Sequence, residues 1–299
     1  MTGGRRSLLR GAAGLVAGGI LGSIPGTAAG VTSEPAPPRE TEGETAVTAT
    51  IDPSVHGVVG VPAGIEPSIT KLRSRYPSVD PARFETLSAD VRLDGDRVVG
   101  GAAIAEGAFD AAALRAELAA DGTELATDVG ETAVSVPDTP YVVGVAETSI
   151  AVGYGPTDRT AAARADAALR RGPSRGERIP AALTGDAVAY ATLGDGTRSH
   201  LLDRGDPRCD GIVRAAEGLG VALDVGDRRS EISYGVAADP GALSPGDLWE
   251  LASRTVDPEP SIDLGSVSRH GRLFVLEATV ETDDLWPVHE RLFGLLSAV

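Results

Sequence analysis

The side chains best suited to chemistry are few and dispersed. His56, His200, His270 and His289 are the four histidines of the 299-residue chain, and no two stand at a spacing that sets metal ligands on one helix or loop. Cys209 is the only cysteine, which excludes an intramolecular disulfide and any multi-cysteine zinc or iron–sulfur site. Nothing beside it in the sequence lowers a thiol pKa, so it is expected to be a small residue on a helix rather than a nucleophile. Lys71, the only lysine, follows Thr70, and a Gly-Lys-Ser/Thr phosphate loop is therefore absent. The stretch from Gly57 to Gly64 is glycine-rich but reads as a strand-like segment serving backbone packing. The densest polar cluster is LGDGTRSHLLDRGDPRCDG, residues 193–211. Its aspartates miss the EF-hand spacing. Asp203, Asp206 and Asp210 are the weak candidates for a loose cation site, set against the stronger expectation of a solvated loop. No cofactor is expected.

The elements that would position such residues follow a recurrent pattern, a hairpin and then a helix. Leu87–Leu93 alternates with period two, Asp94-Gly95 supplies a tight turn, and Val98–Ala105 returns. Asp110 then caps a helix over 111–121 with Leu114 and Leu118 one turn apart. Residues 132–136 and 141–154 read as strands, followed by a helix from Thr157 or Asp158 to Gly172-Pro173. Strands around Val221–Val225 and Ile232–Val236 precede Ser244-Pro245-Gly246-Asp247, a helix start with a capping box and proline at the first position. A third hairpin turns at His270-Gly271, and a last helix carries Leu285, Val288, Leu292, Leu295, Leu296 and Val299 on one face. Weaker helices start near Glu66 and Asp206. Helix starts thus recur every 45 residues or so. The expected fold is α+β: two layers, a mostly antiparallel sheet with helices on one face, built of strand–strand–helix units. Residues 46–172 form a first half and 180–299 a second.

Composition bounds the setting. Net charge is −16, and residues 1–30 hold Arg5, Arg6 and Arg10 with no acid, leaving about −19 on the rest. Such a charge disfavours nucleic acid and anionic membranes. The chain has one lysine and no Asn or Gln, and aromatics make up only 4 %, so the core must be built from Ala, Val and Leu. An acidic, lysine-poor surface suits a protein dissolved in molar salt, where the Debye length is about 3 Å.

The sequence Arg5-Arg6-Ser7-Leu8-Leu9-Arg10 resembles the twin-arginine export motif, with Arg5, Arg6, Leu8 and Leu9 as the matching positions. A short apolar stretch from Gly11 to Ile24 follows, then small residues up to Gly30. Residues 1–30 are expected to be the signal and 31–45, rich in Pro, Glu, Ser and Thr, a flexible linker. The expected partner of this leader is the twin-arginine export machinery, and the expected location is extracellular or at the cell surface. No transmembrane helix is expected in the mature chain, since the apolar stretches fall short of about 20 residues.

VVGGAAIAEGAFDAAALRAELAADG, with the later GDAVAYATLGDG, resembles a group of exported or membrane-anchored haloarchaeal proteins. The resemblance covers about residues 55–285 and implies the hairpin–helix module and an exported life in salt. It implies no activity and no site residues. The leading expectation is a non-enzymatic module that binds a surface or extracellular partner. The alternative is an exported hydrolase whose Ser–His–Asp groups come together only in the fold.

Overall fold

A computed structural model describes residues 43–61, 66–95, 97–120, 124–125, 133–135, 141–171, 179–204, 207–256 and 262–286. Alternation of Val, Ala and Ile with Thr makes β1 (Thr45–Ile51) a strand with two different faces, and it lies at the middle of the sheet. Two helices follow, α1 (Val55–Val59) and α2 (Glu66–Arg75). The hairpin β2 (Phe84–Asp94) and β3 (Arg97–Gly107) turns at Gly95, whose φ of 63° favours glycine. Helix α3 (Ala111–Ala120) starts where the Asp110 carboxylate accepts from the Ala113 N–H at 2.9 Å. Then come β4 (Glu124–Leu125), β5 (Ala133–Ser135), β6 (Tyr141–Val145), β7 (Ser149–Tyr154) and α4 (Asp158–Arg171).

The remaining chain gives β8 (Ala187–Thr192), α5 (Asp195–Arg204), α6 (Asp210–Ala215), β9 (Ala216–Asp224) and β10 (Arg229–Ala238). It continues with α7 (Pro245–Val256), β11 (Ile262–His270) and β12 (Leu273–Glu281). All these strands join one 12-stranded sheet in the order β11-β12-β10-β9-β8-β1-β2-β3-β7-β6-β5-β4. Every pairing is antiparallel. An α+β fold on a large antiparallel sheet is thus as read from the sequence.

The sheet order reads alike from its centre in both directions. Outward from β1 the strands run β1-β2-β3-β7-β6, and outward from β8 they run β8-β9-β10-β12-β11. The two series meet at the β1–β8 pairing, Ala46 opposite Thr192 through Ile51 opposite Ala187. Because β1 and β8 are single strands followed directly by helices, they interrupt a uniform strand–strand–helix period.

Helices cover both faces, which corrects the expectation of helices on one face. Since successive side chains of a strand point to opposite faces, Val143 and Val145 of β6 pack on Leu72 of α2, on Tyr76 just beyond it, and on Leu114 and Leu118 of α3. Val142 and Ala151 pack on the other side, against Ala161, Ala162 and Ala165 of α4. The cause is residue size. A Cβ at Gly153 would lie 2.0 Å from the Ala161 carbonyl oxygen, so only glycine lets α4 settle this close. On the α2–α3 face the centre of the sheet buries Val47, Ala49, Ile51, Leu87, Ala89, Val221 and Leu223 beneath Val55 and Leu285. Leu248 of α7 and Ile212 of α6 cover Val236 and Phe274 farther along the same face.

Candidate functional site

The sequence-derived candidates are only partly among the described residues. Residues 5, 6, 8 and 9 lie outside the described residues, as do Asp206 and His289. Asp203 is exposed near the end of α5, while Asp210 opens α6 and pairs with Arg214 at 3.4 Å. No group of three His, Cys, Asp or Glu side chains able to hold a metal occurs among the described residues. The expected solvated loop over 193–211 is largely helical, a correction with a local cause. The Arg198 N–H donates to the Gly194 carbonyl and Thr197 Oγ1 to the Gly95 carbonyl at 2.8 Å, which docks α5 on the β2–β3 turn. Thr197 is the buried residue of this helix, so the sequence showed no apolar face. Gly57, read as strand-like, lies in α1. Cys209 is buried in a single 3-10 turn before α6.

The described histidines His56, His200 and His270 lie on three separate elements, α1, α5 and β11. His56 Nδ1 lies 3.2 Å from the Gly60 carbonyl oxygen, and burial lowers its pKa against the raising effect of that contact. His270 Nε2 lies 3.1 Å from Ser268 Oγ at the exposed end of β11. These two are alternate residues of one strand, not groups converging from separate elements.

The polar groups that do converge lie on the α4 side of the sheet, at its centre. Pairing registers fix the rows. Thr48 stands between Asp90 of β2 and Tyr190 of β8. Arg92 stands opposite Gly100 of β3, and Thr50 opposite Ser88, whose hydroxyl donates to it at 3.3 Å. One wall is α4. Its Arg164 reaches back over Gly100, where an added Cβ would fall 1.6 Å from Nη1, and Nη1 donates to the Tyr154 carbonyl at 2.6 Å. The other wall is Leu183, which fills the space left by Gly220 and Gly235, with the Tyr190 hydroxyl resting over Gly218.

The electrostatics of this floor are specific. Burial lowers the Arg164 pKa most, the neighbouring Arg92 guanidinium lowers it further, and Glu44, Asp90 and Tyr154 act in the opposite sense. The Tyr190 pKa is raised by burial and by the charge of Glu217, which is ion-paired with Arg272. Thr48 is only 2 % exposed, and its hydroxyl has no hydrogen-bond partner among the described residues. Two guanidiniums, carboxylates and hydroxyls can recognise a polar ligand by hydrogen bonds and charge. None of these named residues is a histidine or a cysteine. Part of this floor was open to sequence reading: the alternation of Leu87–Leu93 already sets Ser88, Asp90 and Arg92 on one face. Arg164 was not, because it arrives from a helix 70 residues away whose packing depends on Gly153.

No protein-family model matches the chain, and no curated protein matches it. The solved structures to which the chain is similar include crystal forms of TP0453. Crystal form III is 12 % identical with a TM-score of 0.49, covering 85 % of this chain and 94 % of that one. Crystal form IV is 12 % identical with a TM-score of 0.47, covering 82 % and 92 %. Among the described residues no helix is long and apolar enough to cross a membrane.

Proposed function

We propose that this chain is an exported, non-enzymatic binding module of a haloarchaeal cell, working at the cell surface or in the medium. The twin-arginine export machinery would carry it out, with Arg5 and Arg6 as the recognised pair. It would then engage a surface or extracellular partner. The observation that carries the reading is the polar floor between α4 and Leu183, where Arg92, Arg164, Asp90, Thr48 and Tyr190 converge without a histidine. The acidic, lysine-poor composition supports life in molar salt. The strand–strand–helix module would be the unit from which such a sheet was assembled, and the matching strand orders on either side of the β1–β8 pairing support an internal repeat.

Export and binding are tested together. Replacing Arg5 and Arg6 by Lys should hold the protein inside the cell; undiminished secretion contradicts the export reading. The secreted chain should stay on isolated cell envelopes in molar salt, and an Arg92→Gln, Arg164→Gln variant should be retained several-fold less. Equal retention of both contradicts a binding role for this floor. The hydrolase reading has the Ser268–His270 contact behind it. Turnover of ester, peptide or glycoside substrates that disappears in His270→Ala would replace the proposal with that reading.

A further inference from the structure

We propose that Arg92 and Arg164 form an oxyanion grip, taking a carboxylate, sulfate or phosphate group of the ligand; this rests on the binding reading above. Arg92 stands in the pairing row of Gly100, and the Arg164 guanidinium occupies the space over that same glycine. Arg92 from the strand and Arg164 from the helix thus share one row of the sheet, on the same face. Like charges in contact are unfavourable, the more so for a half-buried pair. Asp90 and Glu44 offset that repulsion in part and steady the pair. Arg164 has five donors, and the Tyr154 carbonyl takes one of them.

The overall charge of −16 does not forbid an anion here. In molar salt the Debye length is about 3 Å, so only groups in contact with the ligand act on it. The same salt supplies abundant chloride, and selection must come from shape. A guanidinium fork matches two oxygens of one group, which a spherical ion cannot offer. The grip therefore selects oxyanions over chloride.

The test is calorimetric titration of the secreted full chain, in a constant background of about 2 M chloride, where long-range charge is screened. Sodium acetate, sulfate and phosphate are separate titrants, followed by a polyuronate and a sulfated glycan. At least one oxyanion should bind saturably. Arg164→Gln should weaken it at least about tenfold, as expected when a charge-assisted hydrogen bond is lost. Gly100→Ala is the more pointed variant. It keeps every charge and displaces only the far end of a flexible side chain, so circular dichroism should stay unchanged while binding falls by a similar factor. Tighter binding of a polymer than of its free ion assigns the group to an extracellular polymer; equal binding assigns it to a small anion, and either supports the grip. Absence of saturable binding by every oxyanion overturns it, and so does equal binding by wild type, Arg164→Gln and Gly100→Ala. If envelope retention persists while oxyanion binding is absent, the binding module stands and the grip alone falls.

Discussion

Thr48 and Ser230 are both buried hydroxyls on strands of the same sheet, and they differ in what they touch. Ser230 Oγ lies 3.0 Å from Thr282 Oγ1, which itself donates to the Gly226 carbonyl at 2.8 Å. Ser230→Ala should therefore cost about 1–2 kcal/mol, as the loss of a buried hydrogen bond does. Thr48→Val removes a hydroxyl with no partner and keeps the branched shape, so it should be neutral or stabilising. Chemical denaturation of both variants checks this pair, and a loss above about 1 kcal/mol for Thr48→Val would mean that the hydroxyl is satisfied in solution. A third residue-scale expectation concerns Asp247. Its pKa is lowered by the Ser244 hydroxyl and then by the Ser244 backbone N–H, both at 2.8 Å. A depressed folded pKa gives stability that is full above the unfolded carboxylate pKa and is lost as pH falls through the folded value. Melting curves of wild type and Ser244→Ala should thus separate at neutral pH and converge in acid; a gap that widens on acidification would contradict the cap. This box was legible because a Ser-Pro-Gly-Asp start carries its chemistry in adjacent letters. The Arg92–Arg164 pair was not, because it is made by packing.

At the scale of elements, legibility followed the turns. The hairpins at Gly95 and Gly271 were read because a positive φ demands a glycine there and the flanking strands alternate. Strands β1 and β8 carry no turn beside them, and α5 has no apolar stripe, so these elements were missed. Helix α7 was placed from its cap and its phase, and the packing refines the phase. Leu248 is buried and Leu251 partly so, while Trp249 is 42 % exposed and points away from the sheet. Leu248→Ala should accordingly cost about 2–5 kcal/mol and Leu251→Ala less, measured by equilibrium unfolding. Leu292, the matching position of the last helix, lies outside the described residues. The opposite kind of change tests the α4 contact. Gly153→Ala puts a methyl against the Ala161 carbonyl, which is backbone and cannot swing aside, and should cost about 1–3 kcal/mol. A neutral Gly153→Ala would show that α4 stands farther from β7 than described.

At the scale of the whole molecule, one continuous sheet carries a heavily acidic chain with no disulfide to hold it. Its ion pairs do little against the excess charge. Arg73–Asp80, Arg254–Glu250, Arg229–Asp263 and Arg272–Glu217 all sit in solvent, where such pairs contribute little and salt screens them. The core is made of small side chains, so the attraction opposing self-repulsion is distributed over many weak contacts. A domain's net stability is about 5–15 kcal/mol, which uncompensated repulsion can largely consume. Molar salt removes most of the repulsion and strengthens apolar burial. The most direct measurement is thermal unfolding of the chain from about 0.1 M to about 3 M salt, a range that takes the Debye length from about 10 Å to below 3 Å. A melting temperature that climbs steeply across that range is the predicted result; one that stays flat or falls contradicts the account of the acidic surface as an adaptation to salt.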